Sequence, residues 1–244
     1  NNLLTYEKSF GDHSINVLVG QEAYSMNYKY LDAAKRGLPF YGITEIGAAS
    51  EMNSMNSYTD NYRLMSYLSR AEYDYKDRYY VSASFRTDGS SRFHPDNRWG
   101  KFWSIGGSWR ISNEDFMSST SEWLDNLKIK ASYGAVGNDN LGTYYAYQGL
   151  YATGLNNYNN AGVMISRLPN RNLKWETNLQ TNVGVDFAMF NRLSGSFEWF
   201  SRKSKDLLFY MPMAPSTGFS GIDRNIGDVK NVGVEFSLNF AAIN

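Results

Sequence analysis

Apolar and polar residues alternate along this chain in strand-length runs, and the runs are joined alternately by tight turns and long polar loops. Toward the C-terminus Val232, Val234, Phe236, Leu238 and Phe240 interleave with Gly233, Glu235, Ser237 and Asn239. Successive side chains of a strand point to opposite faces, so one face here is wholly apolar and the other carries a carboxylate. The same pattern predicts nine strands, over residues 3–10, 14–30, 62–75, 78–87, 99–111, 127–136, 176–189, 193–208 and 228–240. In the fourth, Val81, Ala83 and Phe85 oppose Ser82, Ser84 and Arg86. In the fifth, Trp103, Ile105, Trp109 and Ile111 oppose Phe102, Ser104, Ser108 and Arg110. In the seventh, Val183, Val185 and Phe187 oppose Asn182, Gly184 and Asp186.

The connections carry a second pattern. Tight turns at Gly11-Asp12, Lys76-Asp77 and Asn191-Arg192 follow odd-numbered strands, as does the moderate link 112–126. That link is expected to hold a short helix, with Ser112 or Asn113 in capping position before Glu114 and Asp115. Long loops near 31–61, 88–98, 137–174 and 209–227 follow even-numbered strands. In an antiparallel up-and-down sheet all odd links lie at one end and all even links at the other. Short turns at one end and long loops at the other is the arrangement of an outer-membrane barrel, with its long loops outside the cell. A soluble sandwich has no reason to segregate them. An open nine-stranded sheet leaves two unpaired edges, which lipid does not tolerate. The expectation is therefore an all-β, antiparallel up-and-down transmembrane β-barrel segment, about nine strands of a larger closed barrel.

Composition narrows the classes. The 244 residues have a mean hydropathy of −0.49, and the longest apolar run is only residues 207–211. A spanning helix needs about 20 apolar residues, so none is expected, whereas a barrel strand tolerates a polar residue at every second position. Aromatics make up 16% of the chain, led by 19 tyrosines, which suits both strands and membrane interfaces. Trp99 and Trp175 fall near loop-side strand ends, and Tyr79, Tyr80 and Trp123 near turn-side ends, as two aromatic girdles require. The 24 basic and 24 acidic residues balance, which argues against a nucleic-acid partner. Without cysteine there is no disulfide framework or thiolate metal site. No leader sequence is visible at Asn1, so either the chain begins after one or it is an internal piece of a longer chain, and the two unpaired sheet edges lead to the second expectation.

Particular runs then resemble a known family. Tyr73-Asp74-Tyr75-Lys76-Asp77-Arg78-Tyr79, Arg86-Thr87-Asp88-Gly89-Ser90-Ser91-Arg92-Phe93 and Asn97-Arg98-Trp99-Gly100 occur in order. They are followed by Ser108-Trp109-Arg110-Ile111-Ser112, Asn172-Leu173-Lys174-Trp175-Glu176 and Asn225-Ile226-Gly227-Asp228-Val229-Lys230-Asn231-Val232-Gly233. In this order, from about Asn61 to the end, they resemble the second half of the barrel in the SusC/RagA family of TonB-dependent outer-membrane transporters from Bacteroidetes. The first 60 residues fit less distinctively. The resemblance implies a 22-stranded barrel with an N-terminal plug, a SusD-like lipoprotein capping the extracellular side, and import of oligosaccharides or peptides powered by the TonB complex. Residues 1–244 would then be partial barrel wall, with the plug and its TonB contact outside this segment.

Candidate chemistry is sparse. Asp88, Ser90 and Asp96 offer oxygens to a cation, but Asp-Gly at a strand exit more simply makes a turn. His13 and His94 lack partners at metal-ligand spacing, and no paired-acid or Ser-His-Asp constellation stands out, so neither metal, cofactor nor catalysis is expected. Arg86, Arg110, Lys128, Lys130, Asp186, Glu198 and Glu235 share the polar faces of their strands. Pairing of opposite charges with each other or with the plug is expected, with a charge-selective lumen as the alternative. Tyr144, Tyr145, Tyr147, Tyr151 and Tyr158 in the longest loop are candidate substrate-binding residues. Sugar stacking, packing against the lipoprotein lid and plain loop packing remain open for them. The competing reading is a secreted or surface-exposed carbohydrate-binding β-domain. It requires Val183, Val185, Val232 and Val234 to lie in a closed core instead of on one outward surface.

Overall fold

A computed structural model describes residues 1–242. Nine strands form one antiparallel sheet: β1 (Asn2–Phe10), β2 (His13–Arg36), β3 (Glu51–Tyr75), β4 (Tyr79–Ser90), β5 (Trp99–Arg110), β6 (Leu124–Asn138), β9 (Glu176–Met189), β10 (Leu193–Lys205) and β13 (Asp228–Phe240). Two small hairpins, β7 (Leu150–Ala152) with β8 (Met164–Arg167) and β11 (Leu208–Pro212) with β12 (Gly221–Asn225), lie inside long loops. Each sheet strand pairs with its neighbour in chain order once those hairpins are set aside. All short links fall at one end and all long loops at the other, as the alternation requires. The link after β5 contains two 3-10 helices, Ile111–Asn113 and Asp115–Thr120. The turn positions at Lys76, Asp77, Phe190 and Asn191 have φ near +55°, as a tight reversal between twisted strands demands.

One boundary differs from expectation. The segment 31–61 is not one long loop: β2 runs on to Arg36 and β3 begins at Glu51, leaving only residues 37–50 as the connection. Serine, asparagine and methionine there read as loop, but pairing from Leu31 with Ser57 to Arg36 with Glu51, with one bulge at Ala34/Lys35, holds them in a ribbon. At about 3.3 Å per residue β2 is roughly 80 Å long, against an apolar band of about 25 Å, so most of it lies beyond any membrane.

Register decides the faces. Cross-strand partners share a face, and Phe85, Trp103, Ala135, Leu179 and Lys203 form one continuous outward row. Val183 lies beside Ala131 and Trp199, and Val234 beside Trp199 in turn. Val183, Val232 and Val234 are 44%, 54% and 63% exposed, and Val81, Phe85, Ile105, Ile129, Phe197, Phe236 and Leu238 are exposed with them. An apolar exterior of this extent is not a soluble surface. A closed sandwich core around these valines is therefore excluded. At its margins lie stacked aromatics: Tyr67 on Trp99 at 6.2 Å toward the loops, and Tyr79 on Trp109 at 6.3 Å toward the turns. Trp123 joins the turn-side margin against Phe190.

Two expected girdle residues do not belong there. Tyr80 sits opposite Asp74 and Ser108 on the inner face, its ring under the Lys128 ammonium at 4.7 Å and the Arg110 guanidinium at 5.5 Å. Trp175 packs inward on Phe93 and Phe102. Strand parity places the first and loop packing the second, so nearness to a strand end alone does not assign an aromatic to the interface.

The two faces differ in what they tolerate, and this is testable. Val183→Arg is expected to destabilise the barrel by about 2–4 kcal/mol, because it places a cation in lipid. Asn182→Arg, one residue away on the inner face, should cost much less. Urea unfolding of the full-length protein in lipid vesicles measures the difference.

Candidate functional site

The inner face carries most charges of the wall and pairs most of them. The Lys130 ammonium lies 3.0 Å from Asp186 and 3.3 Å from Glu198. Arg86 donates from Nε to Asp88 at 2.7 Å and reaches Glu22 at 3.2 Å, and Arg110 bonds Asp77 at 2.6 Å. Pairing, not a free charged lining, is thus the main arrangement. Glu235 faces Glu198 directly across the β10–β13 ladder. Together these strands enclose one side of a concavity of about 590 Å³, lined among others by Glu72, Asp74, Tyr80, Lys130 and Glu198.

Toward the loops the inner face closes over a small core. Phe93 and Leu173 are fully buried, with Ala146 beside them and Leu141, Tyr147, Trp175 and Leu208 packed around. Trp175 meets Phe102 edge-on at 5.3 Å and donates from Nε1 to the Arg98 carbonyl at 2.8 Å. The Phe102 ring fits there because residues 100 and 137 are glycines: a Cβ on Gly137 would sit 2.0 Å from the ring. Beneath this cluster is a second cavity of about 390 Å³, lined by Tyr62, Arg86, Asp88, Phe102, Asp139 and Trp175 among others. It combines aromatic faces with charged groups, as sites for polar organic ligands do.

Asp139 organises the mouth of that cavity. Its carboxylate accepts from the Tyr62 hydroxyl at 2.9 Å and from Ser90 Oγ at 2.7 Å, and it pairs with Arg92 at 3.3 Å. The Arg92 guanidinium lies over the rings of Tyr62 and Tyr144, at 4.8 and 5.1 Å. Burial, together with the Asp139 carboxylate, pushes the Tyr62 hydroxyl up to about 12. The nearly buried Asp223 of β12 pairs with Arg167 of β8, and Asn170 Nδ2 donates to the Asp223 carbonyl at 2.8 Å. The two loop hairpins are thereby tied to each other.

The five loop tyrosines separate. Tyr144 stacks near Tyr62 at 5.8 Å, and Tyr145 accepts a hydrogen bond from the Asn61 amide at 2.9 Å. Tyr147 meets His94 edge-on and borders the buried cluster. Tyr151 is exposed on β7, and Tyr158 is 98% exposed at a turn with φ +52°. The structure thus brings Tyr144 and Tyr145 to the mouth, leaves Tyr151 and Tyr158 outside it, and adds Tyr62, Arg92 and Asp139. The Asn138-Asp139-Asn140 run was the available signal for Asp139, but its partners are 47 or more residues away in sequence. Asp88, Ser90 and Asp96 do not converge: Asp88 takes Arg86, Ser90 takes Asp139, and Asp96 lies beside His94.

Two outcomes follow from this node. Asp139→Ala leaves a guanidinium only 13% exposed without its carboxylate, a local loss of about 1–3 kcal/mol. It should appear as faster proteolysis of the 139–175 loop in the folded protein, with the barrel's overall unfolding little changed. The Tyr62 hydroxyl donates in its protonated form, so its contribution is complete below pH about 10 and is lost as pH rises toward 12. In a tyrosinate absorbance titration, Tyr62→Phe should remove a component ionising near 12.

Comparison with known proteins gives this geometry its setting. A family model described as TonB dependent receptor-like, beta-barrel matches residues 1–243, so the likeness includes the first 60 residues. The chain is 36% identical over 98% of its length to TonB-dependent receptor P3 of Formosa agariphila. It is 32% identical over 96% to TonB-dependent receptor SusC of Bacteroides thetaiotaomicron. It spans 24% of the length of each. The RagAB peptide importer in its closed-closed state superposes with a TM-score of 0.92 at 29% identity, over 99% of this chain and 27% of that one. The siderophore receptor PirA from Acinetobacter baumannii, at 14% identity and a TM-score of 0.60 over 98% of this chain and 34% of that one, shares the fold. The open sheet with its lipid-facing exterior is outer-membrane barrel wall, and the chain belongs to the TonB-dependent receptor-like β-barrel family.

Proposed function

We propose that this segment is part of the wall and extracellular mouth of a 22-stranded transporter that imports oligosaccharides or peptides. It works without catalytic chemistry of its own, together with a SusD-like surface lipoprotein. The observation that carries the reading is the polarity of the sheet: an apolar exterior, a charge-paired inner face, and a loop-side mouth where aromatic rings meet Arg92 and Asp139. The relatives named SusC and RagAB support it. Long loops face outward, where the lipoprotein would close over them, and short turns face the periplasm. The plug would fill the inner concavity, its polar groups facing Glu72, Asp74 and Glu198, and the TonB complex would act on the plug. A secreted carbohydrate-binding domain is disfavoured by the same exterior, which leaves no second layer to cover Val183, Val232 and Val234.

Uptake in cells producing the full-length protein and its lipoprotein tests the reading. Labelled oligosaccharide or peptide should accumulate, and an uncoupler of the inner-membrane proton gradient should abolish accumulation. Uptake that continues undiminished without that gradient would mean a passive pore.

A further inference from the structure

The outer face of the wall carries charge at one margin. Along the outward positions of β3 from Arg63 to Tyr75, of β6 from Leu127 to Gly137, and of β4, β5, β9, β10 and β13, the charged residues are Arg63, Lys101, Lys203, Lys205, Asp228 and Lys230. All of them lie toward the loops, and all but Asp228 are cations. The turn-side margin of the same strands, at Tyr79 and Trp109, carries no charge on this face. Lys203 sits directly opposite Lys230, and the Asp228 carboxylate lies 3.0 Å from Lys203. Like charges opposite each other destabilise a sheet, so the excess of cations is a cost to the protein taken alone. Anionic headgroups meeting the wall at this level offset it.

Beside Trp99 the same rim deepens into a groove of about 540 Å³, lined among others by Ser25, Arg63, Met65, Gly89, Arg98 and Trp99. Glycine at position 89 lets the indole lie across the strand, since a Cβ there would sit 2.9 Å from the ring. Trp99 and Met65 form an apolar wall, continuous with the lipid-facing surface at Tyr67, on which Trp99 stacks. The main chain fixes both arginines. The Arg63 amide donates to Ser91 Oγ and the Ser91 amide to the Arg63 carbonyl, each at 2.9 Å, and the Arg98 carbonyl accepts from the Ser90 amide at 3.2 Å. Their side chains are left over. Nearby Arg86, Arg92 and Arg110 each pair with a carboxylate, whereas Arg63 and Arg98 have no such partner among the described residues. Arg98 Nε is shielded from solvent and has no hydrogen-bond acceptor among them. Two unpaired guanidiniums over an apolar wall, where the barrel leaves the hydrocarbon, suit a phosphate that carries a hydrophobic attachment.

We propose that this groove binds the phosphorylated sugar headgroup of an outer-leaflet lipopolysaccharide. Arg63 and Arg98 hold the phosphate, the sugar lies against Trp99, and the acyl chains run past Met65 and Tyr67 down the apolar exterior. Lys101, two residues from Trp99 on the same face, adds a third cation. A guanidinium presents paired N–H donors to phosphate oxygens. A lysine at this level keeps its apolar stem in the membrane and its ammonium among the headgroups. Phospholipids share the phosphate, but the loop-side leaflet and the indole beside the guanidiniums favour a phosphorylated sugar. The assignment goes beyond the transport reading and shares with it only the placing of the long loops outside the cell.

The test is native mass spectrometry of the full-length protein in detergent, titrated with monophosphoryl lipid A. Its dephosphorylated form, phosphatidylglycerol and inorganic phosphate are the comparison probes. Wild-type protein should bind lipid A in preference to all three, and high salt should weaken that binding. The double variant Arg63→Ala, Arg98→Ala should bind it about tenfold or more weakly, while Arg63→Lys, Arg98→Lys keeps the larger part. Lys8→Ala, on the outward face near the turn end of β1, should change nothing. Heat-modifiable gel migration reports that each variant is folded. Wild-type affinity in the alanine variant, an equal loss in Lys8→Ala, or binding indifferent to salt overturns the proposal. Equal affinity for phosphatidylglycerol or for dephosphorylated lipid A overturns it too, as does displacement of the lipid by inorganic phosphate alone. Failure of lipid A binding with energy-dependent uptake intact sinks the site and spares the transport reading; lipid binding without such uptake does the reverse.

Discussion

Everything in this molecule depends on the backbone hydrogen-bond ladder. In hydrocarbon no water is present to satisfy an unpaired amide or carbonyl, so each strand of the wall must be paired along its whole buried length. The ladders from β3 to β10 run without a break through the apolar band. Among the described residues, register shifts in the sheet occur only at Ala34/Lys35, in the projecting ribbon, and at Leu124/Asn126, at the turn-side end of β6. An unbroken ladder fixes parity, and parity then assigns every side chain to lipid or to the interior.

Once the two faces are assigned, their energetics diverge. The outward face needs only apolar area and aromatic margins. The inner face holds cations and carboxylates close together in a partly desolvated space, where each is stable chiefly with a partner. Lys130 between Asp186 and Glu198, and Arg86 between Asp88 and Glu22, meet that requirement. Above the wall this logic no longer applies, and the loops build a small core of their own. Phe93, Leu173 and Trp175 supply its apolar part, while the half-buried Asp139 and the buried Asp223 accept from arginines of distant loops. The mouth is therefore shaped by side chains that hold each other, which suits a surface that must keep its form while facing water.

The ribbon of β2 and β3 joins the two regimes. Its lower third obeys the lipid rule, and above it Tyr24, Tyr28, Tyr30, Tyr58 and Tyr62 lie on the side continuous with the inner face. A feature of this kind is invisible when alternation is read only as lipid against lumen. Residues 31–61 read as loop because their composition is polar and small, yet pairing across a long hairpin holds most of them extended.

The sequence by itself determined the strands of the wall, their parity, the segregation of short and long links, and the family. These depend on local alternation and on residue order, both of which are written along the chain. It also identified the charged inner positions, because strand parity needs no knowledge of neighbours. Only the tertiary structure decided that the Tyr80 hydroxyl reaches Asp77, that Trp175 closes a loop core, and that Tyr62, Arg92 and Asp139 meet. Those contacts join residues tens of positions apart, and their distances follow from register and loop packing. The same holds for the ribbon's tyrosines: Tyr30 meets Tyr58 only because β2 and β3 pair far beyond the membrane, a length of pairing that composition alone does not disclose.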